Sequence, residues 1–562
     1  MTSITPRASQ PALPLASLLV RGPPGENCVP LDVVFVGAGP AGLSGAIELK
    51  RLVKEEQAKN ASFADVEVGV LEKAESLGEH SLSGAVVNPS AFHELFKDLK
   101  ESELPLGRRV DSEAVYLLSE TGATRLPTPP TMKNHGNYIG SICEIVRWLG
   151  AKAEAAGVNL FTGFPAAALR VENDRVVGVR TAPGGLDRNG QPGANFHPPT
   201  DIDAKVTVLS EGTRGMLTQA WLQWQQVGAR NPQIYALGVK ELWETKVPLD
   251  TVIHTLGWPL PRDAFGGSFL YPAGPAAQNH VALGLVVGLD YRDSGLDVHA
   301  LLQRFKLHPF VRRLLEGGEL IEWGAKTIPE GGYLALPKRL HAPGLMICGD
   351  GAGLVNVPAL KGIHYAIESG RLAAEAAFSA LQRGESPGRR GALAGYDEAL
   401  HKSFVWRDLR QVRNMRPAFG RGFWLGGAMA GAATVSRGAF PPGDKTLEAD
   451  ADQELIRSGR SYPKPDGKLT FDKLSSVFLS GNATRDDAPN HIRVQQRVPP
   501  ELAELWTRMC PAAVYEVGEE AGDGDVHVEV TPSNCVQCGA ITAKGGRLTP
   551  PEGGAGPDYK LT

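Results

Sequence analysis

Cys510, followed at once by Pro511, and the run Cys535-Val536-Gln537-Cys538 place three thiols near the end of the chain. Thiolates in this pattern ligate iron, because a C-P step well upstream of C-x-x-C is the spacing of an iron–sulfur cluster binder. A further step of the same length falls on position 541, where Ile541 stands instead of a cysteine. Three thiolates can hold a 3Fe–4S cluster, or a 4Fe–4S cluster whose fourth iron takes a non-cysteine ligand such as water. Zinc would want four ligands, with His491 the nearest candidate for the fourth. A remnant that has lost its cluster is the remaining reading. Cys28, Cys143 and Cys348 read as ordinary packed thiols.

A second chemistry sits near the other end. Gly37-Ala38-Gly39-Pro40-Ala41-Gly42 fits G-x-G-x-x-G, whose glycines permit a tight turn, admit a pyrophosphate to the backbone and let helix and strand pack closely. The N-terminus of the helix that follows offers free N–H groups and a positive dipole end to phosphates. Glu72 ends the next predicted strand, where a carboxylate accepts hydrogen bonds from a ribose hydroxyl. It falls 30 residues after Gly42, and the polar stretch 53–62 absorbs the excess over the usual gap of about 20. Gly349-Asp350, after an apolar run at the start of the last βα step, separates FAD enzymes from plain NAD dehydrogenases, since its carboxylate can bind the ribityl chain; otherwise Asp350 only caps a helix. Glu211-Gly212-Thr213-Arg214-Gly215 is a third glycine turn of this style and is expected to shape the flavin pocket.

These residues need a doubly wound frame. The spacing predicts strands over 31–36, 66–71, 175–180, 205–210, 281–289 and 344–348, a helix opening near 46, and another from Pro358 through Ser369 to Ala377. A chain of 562 residues can bury several cores. Its 58 basic and 62 acidic side chains are nearly balanced, so no global field points to nucleic acid. Six cysteines in a chain of this size make no disulfide framework and favour a reducing compartment. The first 25 residues lack Asp and Glu and contain Pro6, Pro11 and Pro14 within a weakly apolar stretch, which reads as a disordered leader, with an organelle transit peptide the alternative. No run of about 18 apolar residues occurs, so no transmembrane helix is expected.

With these elements in this order, the chain resembles the electron-transfer flavoprotein:ubiquinone oxidoreductase family from about 32 to 559. Gly78-Glu79-His80-Ser81-Leu82-Ser83-Gly84-Ala85-Val86 looks like the family's segment beside the flavin ring, with Glu79 where the family has a small residue. Phe265-Gly266-Gly267-Ser268-Phe269-Leu270-Tyr271 resembles its quinone-site loop, and Asn356-Val357-Pro358-Ala359-Leu360-Lys361-Gly362-Ile363-His364 its FAD-binding helix start. Tyr462-Pro463-Lys464-Pro465-Asp466-Gly467 resembles the entry to its cluster domain. The family carries C-x-x-C-x-x-C after its C-P, so the chain departs from it at Ile541.

The resemblance implies an electron relay from the reduced flavoprotein, through a 4Fe–4S cluster and FAD, to ubiquinone in a membrane. Ser83, Gly84, Asn356, Lys361 and Gly362 join Gly37, Gly39, Gly42, Glu72, Gly212, Gly349 and Asp350 as FAD-binding residues, and Gly266 and Gly267 would let a quinone ring approach the backbone. Redox chemistry belongs to the cofactors, so no catalytic acid/base residue is expected. The fold class is α/β, with an FAD-binding Rossmann-type domain, an inserted β-rich quinone domain and a C-terminal ferredoxin-like cluster domain. The expected division is a leader over 1–30, FAD domain over 31–250 with 330–383, quinone domain over 251–329, linker and membrane-contact segment over 384–469, and cluster domain over 470–562. The uncharged stretch between Arg421 and Arg437 is too short to span a bilayer but suits one leaflet, with Phe423, Trp424 and Phe440 near the headgroups. The basic stretch 406–416 can sit against anionic lipid. A bacterial inner membrane, on the face toward the cytoplasm, is favoured over a mitochondrial one. A flavin-dependent reductase of prenyl lipids, similar to the geranylgeranyl reductases, is the alternative enzyme. A flavin-binding interaction protein without its cluster is the alternative outside enzymes.

Overall fold

The computed structural model describes residues 4–84, 86–274 and 278–562. Strand Cys28–Val36 is buried over its last four residues, as an apolar run flanked by parallel partners must be. It pairs in parallel with Val68–Leu71 on one side and Asp201–Leu209 on the other, and Leu345–Ile347 adds in parallel to Asp201–Leu209. The registers align Val36 with Leu71, Leu209 with Val36, and Leu209 with Ile347. Four strands therefore end level, and the segments that follow them emerge along one edge of the sheet. Such an edge, at the carboxyl ends of parallel strands, is where doubly wound folds bind ligands.

Helices Pro40–Lys59 and Ile363–Gln382 pack against each other very closely. A Cβ on Gly370 would lie 2.0 Å from the Ala41 carbonyl oxygen, and one on Gly45 2.9 Å from that of Gly370, so the contact is backbone to backbone. The stretch 395–411, expected as part of a linker, instead forms helices Gly395–Lys402 and Phe404–Gln411. Tyr396, Leu400, Val405 and Leu409 lie in the same core as the sheet, which gives apolar side chains in a nominal linker their burial.

A second, seven-stranded sheet runs in the order Glu319–Pro329, Tyr235–Glu244, His280–Gly288, Gly266–Ala273, Val252–Gly257, Glu113–Leu118, Ala123–Leu126. It is wider than the expected 251–329: Tyr235–Glu244 pairs on both sides within it, and Glu113–Leu118 joins in parallel to Val252–Gly257. Lys306 and Glu241 form a fully buried ion pair at 2.8 Å beneath it. The C-terminal region has helices Lys473–Phe478 and Pro500–Met509 and the hairpin Tyr515–Gly522 with Asp525–Val530. It shares one apolar core with the second sheet, where Trp243 and Trp323 meet Trp506, Cys535 and Ile541.

The leader expected to be disordered is ordered from Ile4 onward. Leu13, Leu18 and Leu19 are buried, Leu19–Val20 pairs with Ala166–Glu172, and Gln10 donates to the Thr542 carbonyl at 2.9 Å. These three leucines supply the apolar area that the prolines, which only forbid helix, do not remove.

Candidate flavin cleft and thiol site

The glycine turn after strand Cys28–Val36 divides its labour by position. A Cβ on Gly37, at φ +106°, would lie 2.4 Å from the Ser210 carbonyl oxygen, and one on Gly42 2.1 Å from the Gly37 oxygen. Both glycines are demanded by the protein's own backbone. A Cβ on Gly39 meets nothing within 4 Å, so its missing side chain leaves room on the cleft side for a phosphate. Glu72 accepts the Ala38 N–H at 3.0 Å with one carboxylate oxygen and the Ala74 N–H at 2.9 Å with the other, which clamps the turn to the neighbouring strand end.

The third and last glycine turns meet each other. Asp350 is half-buried at the cleft, and its carboxyl is held by the Thr213 hydroxyl; desolvation pushes its pKa up to about 6. Gly349, at φ +62°, donates its N–H to Ser369 Oγ at 3.0 Å. Gly212, at φ +74°, has no atom within 4 Å of where a Cβ would be. Glu211 accepts the N–H groups of Leu217 and Thr218 at 3.0 and 2.7 Å, and so braces the start of helix Met216–Trp224.

The segment ahead of helix Ile363–Gln382 is a tight loop in which Asn356 and Lys361 exchange backbone hydrogen bonds at 2.9 and 3.2 Å. Asn356 spends its side chain internally, donating to the Tyr365 hydroxyl and accepting from the Ala359 N–H. Lys361 reaches Asn134 Oδ1 at 2.5 Å, and burial lowers its pKa to about 8. Gly362 stands with its missing Cβ 3.6 Å from Asp350 Oδ1. The segment 78–86 lies across to the second sheet: Lys240 donates to the Ser83 carbonyl at 2.8 Å, and a Cβ on Gly84 would touch Phe269 and Tyr271 at 3.4 Å. Ala85 lies outside the described residues.

Gly266 and Gly267 open strand Gly266–Ala273, paired to Val287 and Val286. Their missing Cβ atoms are used by the sheet itself, since one on Gly266 would lie 2.1 Å from the Val286 oxygen and one on Gly267 2.9 Å from the Thr255 oxygen. Just before them, Phe265 packs on Phe419 at 5.0 Å between ring centroids and under the Arg416 guanidinium at 4.0 Å. Arg416 is itself buried in ion pairs with Asp290 and Glu330, so this end of the basic stretch 406–416 turns into the protein rather than toward lipid.

Helix Phe423–Val435 follows. Gly426, Ala430 and Ala433, spaced on one face, are buried, and Ala430 and Ala433 pack with Met415. Leu425, Val435 and the nearby Phe440 are exposed. The side chains of Arg421, Phe423 and Trp424 lie outside the described part of the structure. No helix among the described residues is long and apolar enough to cross a membrane.

The three C-terminal thiols converge. Cys510 ends helix Pro500–Met509, Cys535 follows the turn Pro532–Asn534, and Cys535 and Cys538 each lie close enough to another of the three to be destabilised by it as an anion. Burial pushes all three thiols up, Cys538 to about 12. Backbone N–H groups of Ala512, Val514, Gln537 and Ala540 point at the sulfurs, the donors that thiolate ligands use to spread their charge. Among the described residues no group of three or more His, Cys, Asp or Glu side chains is placed to hold a metal ion, so zinc with His491 has no built site. A cluster is less demanding in this respect, because its thiolates bind separate irons. Two buried thiols and a half-buried one, each with N–H donors, therefore fit an iron–sulfur cluster on three of its corners.

Cleft and thiols are joined by residues that motif reading passed over. Lys73, directly after Glu72, donates to Gln537 Oε1 at 2.6 Å, and Lys326 reaches the Gln537 carbonyl at 3.5 Å. Thr327 bonds the Cys538 carbonyl twice, through its N–H at 2.9 Å and its hydroxyl at 2.8 Å. Gln537 sits at φ +52° inside the C-x-x-C loop, with its amide also on the Ala555 carbonyl. Lys73 is half-buried, and its desolvation lowers its pKa to about 8. Gly37, Glu72, Lys73, Lys326, Gln537 and Cys538 all line one continuous cleft. Only the adjacency of Lys73 to Glu72 hinted at this in the sequence.

Comparison with known proteins returns a consistent result. Residues 235–328 match the family profile described as ETF-QO, ubiquinone-binding, and residues 467–560 match that described as electron transfer flavoprotein-ubiquinone oxidoreductase, 4Fe-4S. The mitochondrial electron transfer flavoprotein-ubiquinone oxidoreductase of Oryza sativa is 38% identical over 560 residues, covering 96% of this chain and 94% of its own. The mitochondrial protein of that name from Homo sapiens is 39% identical, covering 94% and 88%. The probable electron transfer flavoprotein-ubiquinone oxidoreductase of Acinetobacter baylyi is 38% identical, covering 95% and 99%. Among solved structures, a geranylgeranyl bacteriochlorophyll reductase-like protein from Thermoplasma acidophilum superposes with a TM-score of 0.57 at 19% identity, over 74% of this chain and 97% of that one. That likeness shows a shared fold.

Proposed function

Because this chain belongs to the electron transfer flavoprotein-ubiquinone oxidoreductase family, we propose that its cleft and thiol site serve one reaction: electrons from reduced electron-transfer flavoprotein reach ubiquinone by way of an iron–sulfur cluster and FAD. The observation that carries the reading is the match over at least 94% of the chain to relatives of that single name. FAD supplies the exchange between one-electron and two-electron chemistry when bound.

The chain's own residues bind and orient. Gly37, Gly39 and Gly42 cradle the pyrophosphate, Glu72 holds the adenosine ribose, and Gly212, Gly349 and Asp350 take the ribityl side. Ser83, Gly84, Asn356, Lys361 and Gly362 border the flavin ring. Cys510, Cys535 and Cys538 hold the cluster, and Lys73 and Lys326 set positive charge beside it. Gly266 and Gly267 shape the quinone loop, whose neighbour Phe265 touches Phe419 at the foot of the apolar helix.

Helix Phe423–Val435 rests on one leaflet with Leu425, Val435 and Phe440 toward lipid, which sets the quinone entrance at the membrane surface. A bacterial inner membrane, on its cytoplasmic face, is the setting this reading favours. The prenyl-lipid alternative draws on the fold alone. Anaerobic protein given reduced electron-transfer flavoprotein and a short-chain ubiquinone should reduce the quinone. Fully flavinated protein that leaves the quinone oxidised would overturn the reading.

A further inference from the structure

We propose that the C-terminal site of this chain holds a three-iron, four-sulfide cluster on Cys510, Cys535 and Cys538, and that Ile541, seated against Gly546, closes the corner at which a fourth iron would need its ligand. This rests on the reading above that the three thiols hold an iron–sulfur cluster, and it departs from the four-cysteine ligation usual for clusters of four irons.

Three observations converge. First, Ile541 occupies the position that continues the Cys535, Cys538 step, in the short turn Ala540–Ala543 that begins after Gly539 at φ +88°. The Ile541 carbonyl accepts the N–H groups of Lys544 at 3.1 Å and Gly546 at 2.9 Å, which ties the turn down. Second, the isoleucine has a built seat. It is 5% exposed and belongs to the same apolar cluster as Cys510, Cys535, Ala540 and Ala543. A Cβ on Gly546 would lie 2.5 Å from Ile541 Cγ1 and 2.8 Å from Val494 Cγ1, so glycine there makes room for this side chain.

Third, nothing stands in for the missing thiolate. Among the described residues no histidine, aspartate or glutamate completes a ligand group with the cysteines. Three nearby polar side chains are committed elsewhere: Thr542 Oγ1 to the Gly539 carbonyl at 2.7 Å, Thr327 Oγ1 to the Cys538 carbonyl at 2.8 Å, and Lys544 Nζ to the Tyr291 carbonyl at 2.8 Å. Residues 540–546 are all buried, and Ala540, Ile541 and Ala543 make an apolar wall there. An iron there would need a water or hydroxide that this wall excludes, and burying a polar ligand without hydrogen-bond partners is costly. The core without that iron keeps one thiolate for each of its three irons.

The test uses the full chain, purified anaerobically with its FAD and supplied with excess ferrous iron and sulfide. Iron and acid-labile sulfide are counted, and low-temperature electron paramagnetic resonance is recorded on oxidised and on reduced protein. The wild type should hold three irons per four sulfides and show its signal when oxidised, with loss of that signal on reduction. Ile541→Cys should gain the fourth iron and move the signal to the reduced state, while Ile541→Val should behave as the wild type. Should Ile541→Cys lose its FAD, the smaller and polar Ile541→Ser reads the same gain of iron. Equal iron and sulfide in the wild type, with a signal only after reduction, would overturn this proposal alone. Iron-free protein after reconstitution would overturn it together with the cluster reading beneath it.

Discussion

The flavin cleft and the thiol site share one cavity yet are specified by different means. In the cleft the backbone does the specifying. Gly37, Gly42 and Gly370 are glycine because the chain's own carbonyls stand 2.0–2.4 Å from where a Cβ would be, and no exchange of neighbouring side chains relieves such a clash. At the thiol site the specification lies in side chains, three cysteines and an isoleucine where a fourth ligand would fall, with Gly546 making room for Ile541. Backbone-specified sites are rigid to substitution, whereas side-chain sites can drift one corner at a time without disturbing the fold around them.

The contrast can be broken most forcefully at Gly42. Gly42→Val should cost more than about 3 kcal/mol, the upper end for overpacking, and give flavin-free protein that unfolds at lower denaturant. Gly39→Ala, with open space around it, should leave denaturation unchanged and weaken only flavin retention. Equal loss of stability in the two would show that the turn is not backbone-specified.

Next is Asp350, whose folded pKa of about 6 lies above the ordinary aspartate value. A raised folded pKa means the native state binds the proton more tightly. The associated stability is present below the unfolded pKa of roughly 3.9 and is lost as pH rises through about 6, at most about 3 kcal/mol in FAD-free protein. Melting of FAD-depleted protein from pH 4 to 7 should therefore show a fall that Asp350→Asn removes. A flat difference between the two would place the carboxyl in water rather than in the cleft.

Gly546→Ala brings the comparison to the thiol site, at an expected cost of about 2 kcal/mol from its contact with Ile541. Combined with Ile541→Ala, most of that cost should disappear, and strict additivity in the double-mutant cycle would refute the seat. The smallest effect on stability is at Leu425, exposed on helix Phe423–Val435. Leu425→Glu should change stability by less than about 0.5 kcal/mol and yet reduce sedimentation with anionic vesicles, and unchanged sedimentation would remove the helix from the membrane contact.

Most of the cleft was legible as motifs because each has a local geometric reason: a strand end, a tight turn, a helix start. Asp350 and Glu72 could be named from their position after a strand. Their partners could not, since Thr213 meets Asp350 and Gln537 meets Lys73 only because distant strand ends are level. The domain borders shifted for a related reason. Tyr235–Glu244 and Glu113–Leu118 join the second sheet through hydrogen bonds to strands far along the chain, and periodicity is silent about partners. The leader misled because prolines argue against helix but not against burial.

By itself the sequence determined that this chain has a flavin-type glycine frame, three cluster-type thiols and an isoleucine where a fourth would fall, since all of these are matters of residue type and spacing. Tertiary structure alone decided that the two sites share a cleft through Lys73, Gln537 and Lys326, that the basic stretch turns Arg416 inward, and that position 541 is an apolar seat rather than an open corner. Those facts depend on which remote side chains meet and on what excludes water from between them, and burial is a property of the folded whole.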